Sequence, residues 1–324
     1  MMDIVITGPS KSGKTSIKKV VFEKMSPYES VFNETTEKAE EFKVESLGYC
    51  KLTVTEFPTN FCYEKSNDEY EKILSTCGAL IFVLNYQEST NQQYEYFKNN
   101  IMPIFGKHKS ISLSIFIHKI DNTNLNPSDF NKQRGEIQTK FKQMLTQYQK
   151  EAGLNEITTN YYVTSIYNST LFETFSKIFQ NMMPQNKILS ILIEELTNSC
   201  RFEKAYLFDV FNKIYLAVDT SPMESPQTYE ICSDIIDVVL DMSGIYGDES
   251  NNENETYFDD NSTCSIKINN IDRADSKSIL CLKFIDYSLA LIAIINEEDY
   301  ERTNLVDYNV NIFRQAVRTV LNKN

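Results

Sequence analysis

Short apolar runs alternate with helix-spaced apolar positions through the first 183 residues. Ile4-Val5-Ile6 predicts a buried strand, and Ile17, Val20, Val21 and Lys24 follow it at helical spacing. Leu52 and Val54 mark another strand. Ala79–Leu84 is apolar throughout, as a central strand of a parallel sheet is, and Leu113–Ile117 and Tyr161–Val163 supply two more. Between the last two, Ile137, Phe141, Met144, Leu145 and Tyr148 lie on one helical face. Strands alternating with helices predict an α/β fold, a doubly wound and mainly parallel sheet.

The order changes after Pro184. A helix is expected near 188–198, then strands at Ala205–Phe211 and Ile214–Asp219 joined by a tight turn at Asn212-Lys213. Ile231, Ile235, Val238, Val239 and Met242 predict a second helix. An acidic, Asn-rich stretch at Asp248–Asn261 reads as a loop. Strands near Ser265–Ile268, Leu280–Ile285 and Leu289–Ile295 precede a last helix carrying Val306, Val310, Phe313, Val317 and Val320. These elements predict two domains, 1–183 and 184–324, the second an antiparallel sheet covered by helices.

Apolar residues at 41% and charged ones at 24% describe a globular chain. The net charge of −13 is unevenly placed: residues 1–183 carry 20 Lys and Arg against 21 Asp and Glu, residues 184–324 carry 12 against 24. The second half therefore repels phosphate backbones and anionic lipid, which argues against nucleic-acid binding and direct membrane docking. Seven Cys without a C-x-x-C pair read as small buried hydrophobes rather than disulfides or zinc ligands, and two His exclude a His-rich metal site. No apolar run is long enough to span a bilayer. Met1-Met2-Asp3 leads straight into a strand, so no targeting peptide is expected, and Asn322-Lys323-Asn324 is not a prenylation box.

Gly8-Pro9-Ser10-Lys11-Ser12-Gly13-Lys14-Thr15 fits G-x-x-x-x-G-K-[ST], with a strand before it and an amphipathic helix after it. The backbone of Gly8, Ser10, Lys11, Ser12, Gly13 and Ser16 is placed to wrap a phosphate. Lys14 would reach the β- and γ-phosphates and Thr15 would take Mg²⁺. His118-Lys119-Ile120-Asp121 ends a strand opposite this loop. There the Asp121 carboxylate would accept hydrogen bonds from guanine N1–H and the 2-amino group, a donor pair adenine lacks. The Lys119 stem would lie along the base. Thr164-Ser165-Ile166, after the fifth strand, would close the base pocket with backbone N–H groups.

These motifs resemble the small GTPases. That resemblance places D-x-x-G-Q at the end of the third strand, where this chain has Glu56-Phe57-Pro58-Thr59-Asn60. Glu56 would steady Mg²⁺ through water, one methylene longer than Asp. Thr59 replaces the Gly whose N–H meets the γ-phosphate. Asn60 stands where a Gln would orient the attacking water, as the one candidate catalytic residue, and is shorter.

More closely, the chain is similar to the Rag GTPases of the C/D type. Ser16-Ile17, Val20-Val21-Phe22 and Lys24-Met25-Ser26-Pro27 carry that likeness, with Phe116-Ile117-His118-Lys119, Tyr162–Tyr167 and Phe172–Lys177. In the second half Glu203–Val210, Ser221-Pro222, Asp234–Asp241 and Gly244-Ile245-Tyr246-Gly247 continue it. H-K-x-D is this type's own variant, so His118 is expected there. The resemblance implies GTP or GDP with Mg²⁺ as cofactors and a roadblock-like C-terminal domain. It further implies an obligate heterodimer with an A/B-type subunit, and amino-acid signalling to the target-of-rapamycin kinase complex through a scaffold complex on lysosomal or vacuolar membranes. It also makes Thr36, or the adjacent Thr35, the switch threonine that reaches Mg²⁺ in the triphosphate state. Against D-F-P-G-Q in the family, Glu56, Thr59 and Asn60 are departures, and they bear on hydrolysis rather than on nucleotide binding.

Two other readings follow from the same residues: a fully hydrolysing small GTPase, and a scaffold subunit that binds no nucleotide. Intact Lys14 and Asp121 oppose the second. A P-loop phosphotransferase would need an Arg-rich lid, and residues 1–183 contain a single Arg, Arg134.

Overall fold

The computed structural model describes residues 2–32, 38–44, 50–65, 68–121, 126–154, 156–221, 226–246, 258–260, 262–269, 277–301 and 303–321. Thr35, Thr36, Pro222 and most of the acidic stretch 248–261 lie outside the described residues. The chain divides into two compact units, the first reaching Thr174 and the second beginning at Phe175. No helix among the described residues is long and apolar enough to cross a membrane.

The first unit holds β1 (Met2–Thr7), α1 (Lys14–Phe22), β2 (Glu40–Val44), β3 (Leu52–Glu56), α2 (Asp68–Thr76), β4 (Cys77–Asn85), α3 (Thr90–Tyr96), α4 (Ile104–Lys107), β5 (Ser112–His118), α5 (Pro127–Ala152), β6 (Thr159–Thr164) and the start of α6 (Thr170–Met182). Six strands form one sheet in the order β2-β3-β1-β4-β5-β6. Pairing is parallel throughout except at the β2 edge, which runs antiparallel to β3. The doubly wound, mainly parallel sheet expected from the apolar runs is therefore present. β2 had no such run: of Glu40–Val44 only Val44 is buried.

Local chemistry sets the boundaries. α5 starts on Pro127, whose missing N–H costs nothing in the first turn, and stops at Gly153 in the left-handed region. Between α3 and α4, Phe97–Ile101 winds as a π-helical turn, with Met102 N–H donating to Phe97 O five residues back. Phe141 of α5 packs among Phe82, Tyr94 and Phe97, with ring centroids 5.9, 4.9 and 4.9 Å away. β1 has β3 on one side and β4 on the other, the point in such a sheet where ligands collect at the carboxyl ends of strands.

The second unit holds the rest of α6, α7 (Asn186–Cys200), β7 (Phe202–Asp209), β8 (Ile214–Val218), α8 (Pro226–Tyr246), β9 (Cys264–Asn269), β10 (Lys277–Asp286), β11 (Leu289–Asn296), α9 (Glu297–Tyr300) and α10 (Thr303–Leu321). Its sheet, β8-β7-β11-β10-β9, is antiparallel throughout. α7 and α10 pack on one another and on this sheet. Tyr229 of α8 meets Phe208 and Tyr215. The two compact units part inside α6, and in the second, buried Ser176 accepts a hydrogen bond from Tyr215 N–H at 3.1 Å. The buried face of α8 includes Cys232, Ile235, Ile236 and Val239, while Val238 and Met242, two of the residues that predicted this helix, are exposed. This helix is apolar on more than one side, so spacing alone did not single out the inward face. On α10, Leu321 is buried where Val320 was expected. The described cysteines are all free, and Cys77, Cys200, Cys232 and Cys281 are buried.

Phe141→Ala should destabilise the first unit by about 3–5 kcal/mol through the cavity it leaves, read by chemical denaturation. A loss under about 1 kcal/mol would remove this ring from the core.

Candidate functional site

Parallel register brings five strand ends together. Ile6 pairs with Glu56 and Thr7 with Phe82, Asn85 pairs with His118, and His118 pairs with Thr164. The loop from Gly8 to Gly13 leaves β1 at this edge, and α1 begins at Lys14. Only glycine fits at two of its positions. A Cβ on Gly8 would lie 2.4 Å from Val83 O. One on Gly13, at φ +101°, would lie 2.7 Å from His118 Cδ2. Lys11 also takes a left-handed backbone, and its carbonyl accepts from Asn85 Nδ2 at 3.2 Å and from Lys119 Nζ at 2.9 Å.

Lys14 curls over the loop, donating to Gly8 O at 2.8 Å and Pro9 O at 3.0 Å. Its amine is nearly buried, and that burial, partly offset by Glu56, brings its pKa down to about 8. An amine so placed gains from an incoming anion. Thr15 Oγ1 donates to Glu56 Oε1 at 2.6 Å, and Glu56 is fully buried. A hydroxyl beside a carboxylate is a hard-oxygen pair of the kind Mg²⁺ takes. Among the described residues no group of three His, Cys, Asp or Glu gathers for a metal, so these oxygens would have to be completed by others, as in a site shared with phosphate. Ser16 Oγ donates to Ser30 O at 3.4 Å, and Ser30 Oγ donates to Pro27 O.

The H-K-x-D segment sits against this loop. His118 is buried and shares a 2.9 Å hydrogen bond between Nδ1 and Thr164 Oγ1. Burial first, then the charge of Lys119, pushes the imidazole down to about 4. Lys119 stands at φ +63°, a strained conformation for a non-glycine residue, with its stem running towards Lys11. Asp121 is exposed, and Ser165 Oγ donates to its Oδ1 at 2.6 Å, fixing the carboxylate. Ser165 Oγ also accepts from Tyr167 N–H, and Ser165 N–H donates to Thr170 Oγ1. The triplet Thr164-Ser165-Ile166 is thereby held beside Asp121.

Past β3, Phe57 N–H extends the ladder to Ile6 O at 2.9 Å, and Pro58-Thr59-Asn60-Phe61 closes a turn through Phe61 N–H to Pro58 O. Thr59 and Asn60 occupy its centre, with Asn60 exposed. Phe57, Phe61 and Tyr70 pack together at 4.7–5.2 Å, which anchors both flanks of the turn. Thr36 lies outside the described residues. Two contributors went unread in the sequence, Asn85 and Lys18. Asn85, the polar end of an apolar strand, was the one with a signal.

The Gtr1/RagA G protein conserved region matches residues 3–236. The chain belongs to this family. Ras-related GTP-binding protein D of Mus musculus is 37% identical over 317 residues, covering 98% of this chain and 68% of that protein. Ras-related GTP-binding protein C of Homo sapiens is 36% identical, covering 98% and 76%. GTP-binding protein gtr2 of Schizosaccharomyces pombe is 32% identical, covering 98% and 97%. The chain is thus a Rag-type GTPase subunit of the C/D type. Among solved structures, Myxococcus xanthus MglB is similar at 12% identity and a TM-score of 0.31, over 42% of this chain and 97% of that one, a likeness too slight to bear on the fold.

His118 ties stability to pH. Its folded pKa lies below the ordinary 6.5, so the unfolded chain binds the proton more readily. The stability it confers is full above about pH 6.5, falls as pH drops, and is lost by about pH 4. In His118→Asn the urea midpoint should decline less over that window than in wild type; equal declines would refute the assignment.

Proposed function

We propose that this Rag subunit binds GTP and GDP through the site at the carboxyl ends of β1, β3, β5 and β6, and that it signals by the shape the nucleotide imposes. One observation carries the reading: a phosphate loop with Lys14 in place lies against His118 and Lys119, in the same segment as an Asp121 carboxylate fixed by Ser165. The loop backbone of Gly8, Ser10, Lys11, Ser12, Gly13 and Ser16 holds the phosphates, and Lys14 exchanges its two loop carbonyls for phosphate oxygens. Asp121 selects guanine, Lys119 lines the base, and the backbone of Thr164-Ser165-Ile166 closes over it, with His118 packed behind Gly13. Thr15 and Glu56, with Thr36 from the switch, would hold Mg²⁺, which when bound neutralises charge between the β- and γ-phosphates.

Hydrolysis is slow in this reading. Thr59 limits the backbone where a Gly would swing, and Asn60 is short for orienting water. Residues 184–324 serve as a roadblock-like domain that joins an A/B-type subunit into a heterodimer. The named relatives and the antiparallel sheet with its helices support this plan. The dimer relays amino-acid status to the target-of-rapamycin kinase complex from a lysosomal or vacuolar surface, held there by a scaffold complex. The net charge of −12 over residues 184–324 disfavours a homodimer.

Asp121→Asn should lose roughly 1.5–3 kcal/mol of guanine affinity, the worth of hydrogen bonds to a charged group, and gain affinity for xanthine nucleotides. Competition against fluorescent GDP measures both, and ATP competing as well as GTP in wild type would sink the assignment. Bringing the switch back to D-F-P-G-Q, by Glu56→Asp, Thr59→Gly and Asn60→Gln together, should raise single-turnover GTP hydrolysis by roughly tenfold or more; a wild-type rate already equal to that of the triple variant would show the switch intact.

A further inference from the structure

Glu40 and Glu56 are direct partners across β2 and β3, and carboxylates placed opposite one another on neighbouring strands repel. The Lys18 ammonium, one helical turn beyond Lys14 on α1, comes between them. It donates to Glu40 Oε2 and stands 3.5 Å from Glu56 Oε2. The Lys18 side chain is 4% exposed and that of Glu56 0%, whereas Glu40 reaches solvent at 51%. The other oxygen of Glu56 accepts from Thr15 Oγ1. The carboxylate that would face a divalent ion thus already has a cation at its second oxygen, delivered by the helix that carries Lys14 and Thr15.

We propose that Lys18 is the resident counter-cation of Glu56 and sets how strongly nucleotide retention depends on Mg²⁺. The inference rests on reading this site as one for guanine nucleotide with Mg²⁺. An ammonium this close repels a divalent ion and weakens its hold. It also keeps the Glu56 carboxylate in place, beside Thr15, whether or not the ion is bound. Removing Mg²⁺ therefore disturbs the site less than it would if Glu56 were left as an uncompensated buried charge. Glu40 acts from outside by sharing the ammonium's charge, which makes Lys18 a positioning residue whose strength another residue tunes.

The test follows release of fluorescent GDP from the full chain across a Mg²⁺ titration, with EDTA as its lower end, for wild type, Lys18→Gln and Glu40→Gln. In Lys18→Gln the half-saturating Mg²⁺ concentration should fall by about tenfold, the effect of removing one nearby positive charge, and EDTA should accelerate release more than in wild type. In Glu40→Gln it should rise, because Lys18 then bears on Glu56 alone. General loosening of the fold would not move the two variants in opposite directions. A half-saturating concentration that is unchanged or raised in Lys18→Gln overturns the proposal. If Lys18→Gln does not fold, Glu40→Gln decides: a rise supports the proposal, no change or a fall overturns it. Wild type that retains no labelled GDP at any Mg²⁺ concentration refutes the nucleotide site itself, and the proposal with it, whereas retention with the wrong shifts refutes the role of Lys18 alone.

Discussion

The loop between β1 and α1 is threaded through a gap that admits no side chain at two points. At Gly8 the wall is the carbonyl of Val83 on β4, and at Gly13 it is the ring of His118 on β5. Both walls exist because β4 lies beside β1 and β5 beside β4, so the sheet order itself decides what the loop can be made of. The loop then holds its neighbours in turn: Lys11 O accepts from both Asn85 and Lys119, drawing the ends of β4 and β5 towards it. The cradle and base platform of the proposed nucleotide site would both come from one close approach of backbone to strand ends, where a parallel sheet leaves its crevice.

Charge in this crevice is unusually interior. Lys14, Lys18 and Glu56 are all buried, an arrangement that costs stability unless each charge meets an opposite one or a set of dipoles. Glu56 meets Lys18 and the Thr15 hydroxyl, while Lys14 has carbonyl dipoles and a pKa brought down to about 8. The second unit shows how such a charge is handled when it is purely internal. Lys204, fully buried, donates to Asp219 O and Ser221 O and lies 3.4 Å from the Asp219 carboxylate. Lys204 has its own carboxylate; Lys14 is the one set against the loop carbonyls.

The nucleotide motifs and the sheet were legible because they obey spacing rules that a single sequence displays. An apolar run such as Ala79–Leu84 has few uses other than a central strand, and G-x-x-x-x-G-K-T between strand and helix has few other than a phosphate loop. What spacing could not show was partnership across distance. β2 is a polar edge whose strand character comes from pairing with β3, so Glu40 carried no signal until its register with Glu56 was known. Lys18 carried no signal of its own in the sequence and is almost fully buried. α8 failed in the opposite way: with apolar residues on more than one side, its inward face was settled by what Tyr229 and Ile236 pack against, not by period.

The wide turn at Phe97–Ile101 carries a different kind of information. A π turn holds one residue more than an α turn, and extra residues ordinarily accumulate in loops, where they disturb nothing. Here the surplus lies inside a helical run, between Tyr94, which packs on Phe141, and the buried pair Ile104 and Phe105. The Asn100 side chain within it accepts from Tyr63 N–H at 3.3 Å, just past the turn that carries Thr59 and Asn60. The extra residue is thus held by the core on one side and by the segment at Tyr63 on the other. Deleting one residue there would rotate everything beyond it by about 100° about the helix axis.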